Sequence, residues 1–571
     1  MIKLSSAFAF TAFAVRCLTT QEVYDYIVIG SGPGGGPLAV NLARAGYKTL
    51  LLEAGDDLGD DPTYNHILNN YGAVNGARGR WDFFVQHSED PAEQARYALQ
   101  TYRTVNGSFY TGLDPPSGAE RLGIWYPRGA SLGGCSMNNA AIATLPPDAD
   151  WEIVVNRTGD RTWLAENMRQ HFIEIERNEW FPRGTPGHGF DGYLRINTPN
   201  NSWTEQPSNV NRIIAGLANA TDQDIKIVPD LVVRDINAES PDRDQQEGFY
   251  GMSLHIDSQG FQLVTRVLFD DSGLVPVANG VEVLQGQSVY KADPRWSKDK
   301  KSELKTFTAK REVIVSGGAF NSPQILKHSG VGPADELNRF GIKVIKDLPG
   351  VGENLAENYE GGLLGLASQN INLDAGQVAL VLRTPTETGG RNIHAWCGPF
   401  ALEGFWPGMP KDYGPRQWSR AGSVRLKSAD PTDTPDINFR FWQVGGDEDL
   451  REIVDAVNII RQGFNAAEAP VTPWSEIYPC HGNASNCTDQ AQLEYFRSQS
   501  FGHHASSSCA IGAAEDPMAV VDSKFRVHGV KNLRVVDASV FPHVPDAFPV
   551  LPTLIISQKA SKDIIEAASS A

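Results

Sequence analysis

A chain of 571 residues is too long for one compact core and points to two closely joined domains. Its hydrophobic fraction of 41% and charged fraction of 21% are those of a globular protein. A net charge of −18 and the lack of any Lys/Arg run argue against a nucleic-acid partner, which needs a basic face.

Residues 1–20 read as a secretory leader. Lys3 precedes a short apolar stretch from Leu4 to Val15, too short to cross a bilayer, and Arg16 and Cys17 blur the cleavage point. No later segment suits a membrane helix, so no membrane partner is expected. The chain next enters a strand, Tyr24 to Gly30, then a glycine-rich turn, then a helix that spaces Leu38, Val40, Leu42 and Ala45 and stops at Gly46. A second strand, KTLLLEAG, carries Glu53 at its end. Together these form a βαβ unit with strands apolar on both faces.

Gly30, Gly32 and Gly35 make G-x-G-x-x-G between that strand and helix. The first glycine permits the tight turn, the second lets backbone approach a pyrophosphate, and the third lets helix and strand pack closely. The helix N-terminus faces the phosphates with its partial positive charge. Glu53 stands where a carboxylate accepts ribose hydroxyls and repels a 2′-phosphate. The pattern predicts dinucleotide binding and leaves open which dinucleotide.

Residues from about Trp151 to Asn200 alternate helical and turn signals. Thr306 to Gly317 returns to an apolar strand, and Ala356 to Ser498 reads as a separate antiparallel layer with strands such as SVRLKSA and DINFRFW. Trp396, Phe400, Phe405 and Trp406 in that layer either roof an apolar pocket or fill a core. Cys480 and Cys487 bracket the polar loop HGNASN; they close as a disulfide in an oxidising compartment or stand as two loop thiols. Cys135, Cys397 and Cys509 lie in apolar or glycine-rich contexts expected of buried single thiols. No spacing fits a zinc site, and no metal is expected. Asn-x-Ser/Thr glycan acceptors occur at Asn106, Asn156, Asn200, Asn219, Asn483 and Asn486. The chain ends in a strand, NLRVVDASVFP, and a terminal helix.

Four further stretches decide the cofactor: PRGASLGGCSMNNAAI from Pro127, GGAFNSPQILKHSGVG from Gly317 with LPGVGENL after it, GHHASSSCAIG, and NLRVVDASVFP. With the opening βαβ unit, in this order from Tyr24 to Ala568, they resemble the glucose–methanol–choline (GMC) oxidoreductases, a family of FAD enzymes. The resemblance implies an α/β fold, with a Rossmann-type FAD-binding domain and a second α+β substrate-binding domain on an antiparallel sheet. It divides the chain into 22–160, 226–350 and 501–571 for the FAD-binding domain. Segments 161–225 and 351–500 go to the substrate domain.

The resemblance also implies roles. Arg128, Gly133, Gly134 and Asn139 run beside the flavin, where glycines let N–H groups approach it. Asp537 and Ala538 match the strand-end motif at the ribityl-phosphate region, Asp537 otherwise being a turn acid or helix cap. Ser322 to Gly332 reads as structural support, with Pro323 beginning a helix that Gly330 and Gly332 end. His504 matches the histidine that takes the alcohol proton, and a neutral imidazole is a suitable base near neutral pH. His503 is its rival. On a strand the two would face opposite sides, so that one alone meets the flavin.

Three departures stand out. The family's second His or Asn falls at Phe548, which makes no conventional hydrogen bond. Either His504 works alone, or His543 or Asp546 substitutes, or alcohol oxidation is lost; an aromatic there also suits a flat, apolar alcohol. The stretch from Phe249 to Leu268 is shorter than the family's. Glu357 to Tyr359 falls where many relatives carry an Asp-His pair, and no role is assigned to it. The leading expectation is a secreted FAD enzyme that oxidises a small alcohol, aromatic or apolar, to a carbonyl, with oxygen or another acceptor regenerating the flavin. The alternative is an FAD-bound cyclase or synthase without net redox chemistry.

Overall fold

A computed structural model of the chain describes residues 22–64, 70–198, 209–223, 234–251, 263–369, 378–385, 390–397, 407, 416–481 and 487–570. The leader (1–20), Asn200, the glycan acceptors Asn483 and Asn486, most of the shortened stretch (252–262) and Phe400, Phe405 and Trp406 lie outside them.

The opening βαβ unit forms as its pattern dictates. The strand Val23–Ile29 runs parallel to Thr49–Leu52, pairing Tyr26 with Thr49 and Ile29 with Leu52. The helix Gly35–Arg44 joins them and buries Leu38, Ala39 and Leu42 on the sheet. The sheet is completed by strands far away in sequence. The long strand Glu303–Val315 pairs along its later half with Val23–Ile29 in parallel. Its earlier half pairs antiparallel with Val277–Gln285, which pairs with Leu263–Asp270. Leu533–Val535 adds a parallel strand opposite Val313–Val315. The terminal helix Val550–Ser569 lies against Gly35–Arg44, where Asn41 Nδ2 donates to Gln558 Oε1 at 2.9 Å.

The second sheet is antiparallel, as the alternating pattern of the later half predicts. Its order is Leu355–Glu360, Arg416–Arg425, Ile393–Cys397, Val378–Leu382 and Gly248–Tyr250, with Asp436–Asn438 on Arg416–Arg425. Helices Asn209–Ala220 and Gly446–Ala466 cross each other so closely that a side chain on Gly216 would lie 2.1 Å from Gly463 O. A third sheet, Arg80–Val85, Glu120–Gly129, Gln100–Arg103 and Phe109–Thr111, leads into the segment at Pro127. It carries no signal strong enough to read beforehand.

Two local expectations are corrected. Pro323 does not begin a helix; it sits inside Gly318–His328. Proline there leaves the carbonyl four residues back without its usual donor. That carbonyl, Ala319 O, receives Ser508 Oγ–H at 2.6 Å instead, so tertiary contact replaces the missing bond. Cys135 is half-buried rather than buried, with Sγ accepting from Gly129 N at 3.3 Å, whereas Cys509 is fully buried. Cys480 and Cys487 are joined as a disulfide.

Candidate active site

A cavity of about 2060 Å³, counting its open mouth, runs from the glycine turn to the second sheet. At one end it is lined by Gly30, Gly32 and Glu53, along its middle by Arg128, Gly134 and Asn139, and at the other end by His503, His504 and Phe548.

The three glycines differ in what demands them. Gly30 turns with φ +93°, and a side chain there would lie 2.2 Å from Ser316 O. A side chain on Gly35 would meet Gly30 O at 2.0 Å, so this glycine serves helix–strand contact. Gly32 is different. A methyl group there would meet nothing closer than Gly134 Cα at 4.0 Å. Protein packing does not require a glycine at 32, and the space it leaves belongs to the cavity. A backbone left open in this way is what a close-approaching pyrophosphate requires.

Glu53 faces the same end, and its carboxylate is held in place by four donors. Oε2 accepts from Ser31 N at 2.8 Å and Ser31 Oγ at 2.6 Å; Oε1 accepts from Ala54 N at 2.9 Å and Gly55 N at 2.8 Å. Ser31 Oγ in turn accepts from Gly133 N at 3.1 Å. Ser31 thus ties three segments of the cradle together, a role its place inside the glycine motif hides. Gly133 itself is not among the lining residues, because its amide is turned to Ser31; Gly134 takes the place at the wall. Asn139 lines the wall while its Oδ1 caps Ala141 N at 2.9 Å.

Asp537 and Ala538 line the cavity beside the N-terminus of the helix Gly318–His328. The Asp537 carboxylate accepts from Gly318 N at 2.9 Å, Ser322 Oγ at 2.5 Å and Ser539 N at 2.8 Å. It caps one helix start and the following turn at once, so the capping role is present whatever it does toward a ligand. Ser322 belongs to the segment read as structural support. That segment also carries the buried pair Lys327 Nζ–Glu336 Oε2 at 2.8 Å.

At the far end His504 and Phe548 are both buried, with ring centroids 5.7 Å apart. Phe548 clusters with Ile142, Ala140 and Trp396, the last at 5.8 Å, giving this end an apolar wall. His503 and His504 do not face opposite sides as expected. Both line the cavity, with rings 4.3 Å apart. The reason is a bulge. Isolated bridges join Glu360 to Phe501 and Ala356 to Ser506, so five residue steps on one side oppose four on the other. The extra residue breaks the alternation. His503 Nδ1 lies 3.2 Å from Glu360 Oε1, whereas His504 Nδ1 lies 3.0 Å from Asn358 Nδ2.

Glu357, given no role by sequence, lies directly beneath His504. Its Oε1 accepts from His504 N at 2.5 Å and Asn358 N at 2.9 Å, and Oε2 accepts from Tyr126 Oη. Tyr126 Oη also accepts from Ala505 N at 2.9 Å. Complete burial pushes the Glu357 carboxyl up to about 7. Neither candidate replacement for the second polar group reaches the cavity. His543 donates from Nδ1 to Val544 O at 2.7 Å and turns Nε2 toward Asp150, 3.6 Å away. Asp546 lies in a separate small cavity behind Phe548, with its N–H on Asp150 Oδ2 at 2.8 Å. Two groups bring potential cation ligands within 4.8 Å of one another, Glu360 with His503 and His504, and Asp150 with His543 and Asp546. Sequence spacing shows neither, because both are assembled from distant segments.

The fold and this cavity are those of a βαβ nucleotide-binding unit joined to an antiparallel second sheet, with two histidines in the cavity wall. Two family models, each described as GMC oxidoreductase, match residues 117–360 and 418–557, together more than half of the chain. The chain is 29% identical to an oxygen-dependent choline dehydrogenase of Pseudomonas syringae pv. tomato, over 96% of this chain and 94% of that protein. It is 28% identical to a 5-(hydroxymethyl)furfural oxidase of a Methylovorus species, over 96% and 99%. Among solved structures it resembles pyridoxine 4-oxidase from Mesorbium loti, with TM-score 0.70 and 21% identity over 94% and 98% of the two chains. It also resembles a fungal aryl-alcohol oxidase, with TM-score 0.67 and 19% identity over 96% and 99%. The chain belongs to the GMC oxidoreductases. It is an FAD-dependent enzyme that oxidises the CH–OH group of a small alcohol.

Proposed function

We propose that the alcohol is planar and apolar or aromatic, and that it binds between His504 and Phe548 in the cavity. The observation that supports this is the pairing of one buried imidazole with the apolar wall of Phe548, Trp396 and Ile142. A flat ring gains from that wall, whereas a polyol would leave hydroxyls without partners there. His504 accepts the hydroxyl proton, and His503, held toward Glu360, is the flanking residue. Gly30, Gly32, Gly35, Glu53, Arg128, Gly134, Asn139, Asp537 and Ala538 form the FAD cradle, with Gly133 supporting it through Ser31. FAD, when bound, supplies the acceptor for the hydride leaving the alcohol carbon. The protein holds the alcohol oxygen against the imidazole and keeps water from the buried end. Phe548 makes no polar contact with the substrate oxygen, so His504 carries the proton alone.

We assign residues 22–160, 226–350 and 501–571 to the FAD-binding domain and 161–225 and 351–500 to the substrate domain. The protein is secreted and glycosylated on this reading, supported by the Cys480–Cys487 disulfide and by exposed acceptors at Asn106, Asn156 and Asn219. No described helix is long and apolar enough to cross a membrane.

The test is anaerobic mixing with aryl and aliphatic alcohols while the flavin absorbance is followed. Aryl and furanic alcohols bleach it faster than aliphatic alcohols of equal length. His504→Ala keeps its flavin and slows bleaching by about 10²–10⁴. Equal bleaching by both alcohol classes would sink the substrate reading, and unchanged bleaching in the variant would remove His504 from the reaction.

A further inference from the structure

A base needs its lone pair aimed at the proton it takes, and an imidazole has two nitrogens that share one hydrogen when neutral. Which nitrogen holds that hydrogen is decided by the partner of the other. For His504 that partner is Asn358, whose amide sits 3.0 Å from Nδ1. Asn358 is on the wholly buried strand Leu355–Glu360, and its backbone N–H is held by Glu357 Oε1 at 2.9 Å. The same Glu357 oxygen holds the backbone N–H of His504. One carboxylate therefore sets the spacing between the amide and the ring.

The amide has two orientations that fill the same space. With its NH2 toward the ring, it donates to Nδ1. This places the hydrogen on Nε2 and leaves Asn358 Oδ1 buried without a donor. With its oxygen toward the ring, it accepts Nδ1–H, and Nε2 becomes the basic nitrogen. The second orientation also holds the imidazolium that forms after proton transfer, because Nδ1–H stays on a carbonyl oxygen throughout.

We propose that Asn358 is the positioning residue that sets the tautomer of His504, its side-chain oxygen holding hydrogen on Nδ1 so that Nε2 takes the alcohol proton. In that step the alcohol O–H bond breaks and an Nε2–H bond forms. This rests on the reading of His504 as the base. Among the described residues, the charged and titratable groups around the ring and its amide include His503 with Glu360, Glu357 and Tyr126 beneath the backbone, Arg128, whose Nη1 reaches His503 O at 3.4 Å, and His394 and Asp546, which line the small cavity beside Asn358 and Phe548. None of them changes in the variants below.

The experiment compares Asn358→Leu and Asn358→Asp with wild-type holoenzyme, using flavin content, kcat, KM and the pH profile of kcat/KM. Asn358→Leu removes the acceptor. It lowers kcat by about 10², the lower end of a general base's contribution, with KM little changed. Asn358→Asp keeps an acceptor oxygen and adds a negative charge that favours imidazolium. It restores kcat to within about tenfold of wild type, and the acidic limb of the profile moves to higher pH. A fully flavinated Leu variant at wild-type rate would overturn the proposal. So would an Asp variant as slow as the Leu variant, or one whose acidic limb stays in place. If Asn358→Leu fails to fold, the Asp variant decides alone: a kcat about 10² below wild type, or an acidic limb that stays in place, overturns the proposal. Failure of this inference is separable from failure of the base assignment: there, His504→Ala itself bleaches at the wild-type rate. Wild-type flavin that no alcohol bleaches overturns both.

Discussion

Replacing Glu357 by Gln should change how stability depends on pH, and the structure sets the size of the effect. The carboxyl is wholly buried, and burial raises it from 4.5 to about 7. A raised acid binds its proton more tightly folded than unfolded. Its stabilising contribution is therefore complete below the unfolded value of 4.5 and is lost as pH rises through about 7. Each pH unit in that window costs about 1.4 kcal/mol, so the wild type gives up about 3 kcal/mol across it. Gln keeps the two N–H bonds from His504 and Asn358 and presents NH2 to Tyr126 Oη, which has an open acceptor site. It mimics the protonated acid and cannot titrate. The melting temperature of Glu357→Gln should accordingly fall less than that of wild type between pH 5 and 8. Thermal unfolding of both holoproteins in matched buffers measures this. Parallel curves would refute the reasoning, because they would mean that Glu357 does not take up a proton in the folded protein.

Gly32→Ala should leave the unfolding free energy of flavin-free protein within about 1 kcal/mol of wild type, since its methyl meets no atom closer than 4.0 Å. It should cut the flavin-to-protein absorbance ratio severely, because that methyl occupies the pyrophosphate's approach. Cys480→Ser opens a loop of sequence separation 7 and should cost about 2.5 kcal/mol, read as a lower melting temperature that reducing agent does not lower further.

What could be read beforehand follows the range over which each feature is encoded. The βαβ unit that carries Gly30 to Glu53 was legible because strand, turn, helix and acid lie close together in the chain. His504 and Phe548 were legible through family motifs. Asn358 and Glu357 were not, since 146 and 147 residues separate them from the histidine they hold, and no local pattern marks that contact. The shared facing of His503 and His504 was missed because a bulge defeats the alternation of a regular strand. Pro323 misled for a similar reason. Its cost inside a helix is real, but Ser508, from another part of the chain, offsets it.

The sheet beneath the cavity is closed by strands far apart in the sequence: Val23–Ile29 and Leu533–Val535 both lean on Glu303–Val315. A growing chain therefore cannot complete this sheet until Leu533–Val535 has been made. Contacts this distant are slow to form, because the intervening loops must close first. Proteolytic trimming of the final helix would accordingly yield colourless protein even with His504 intact, since the same cut removes the support behind Gly34, whose carbonyl accepts Ser557 Oγ–H at 2.6 Å.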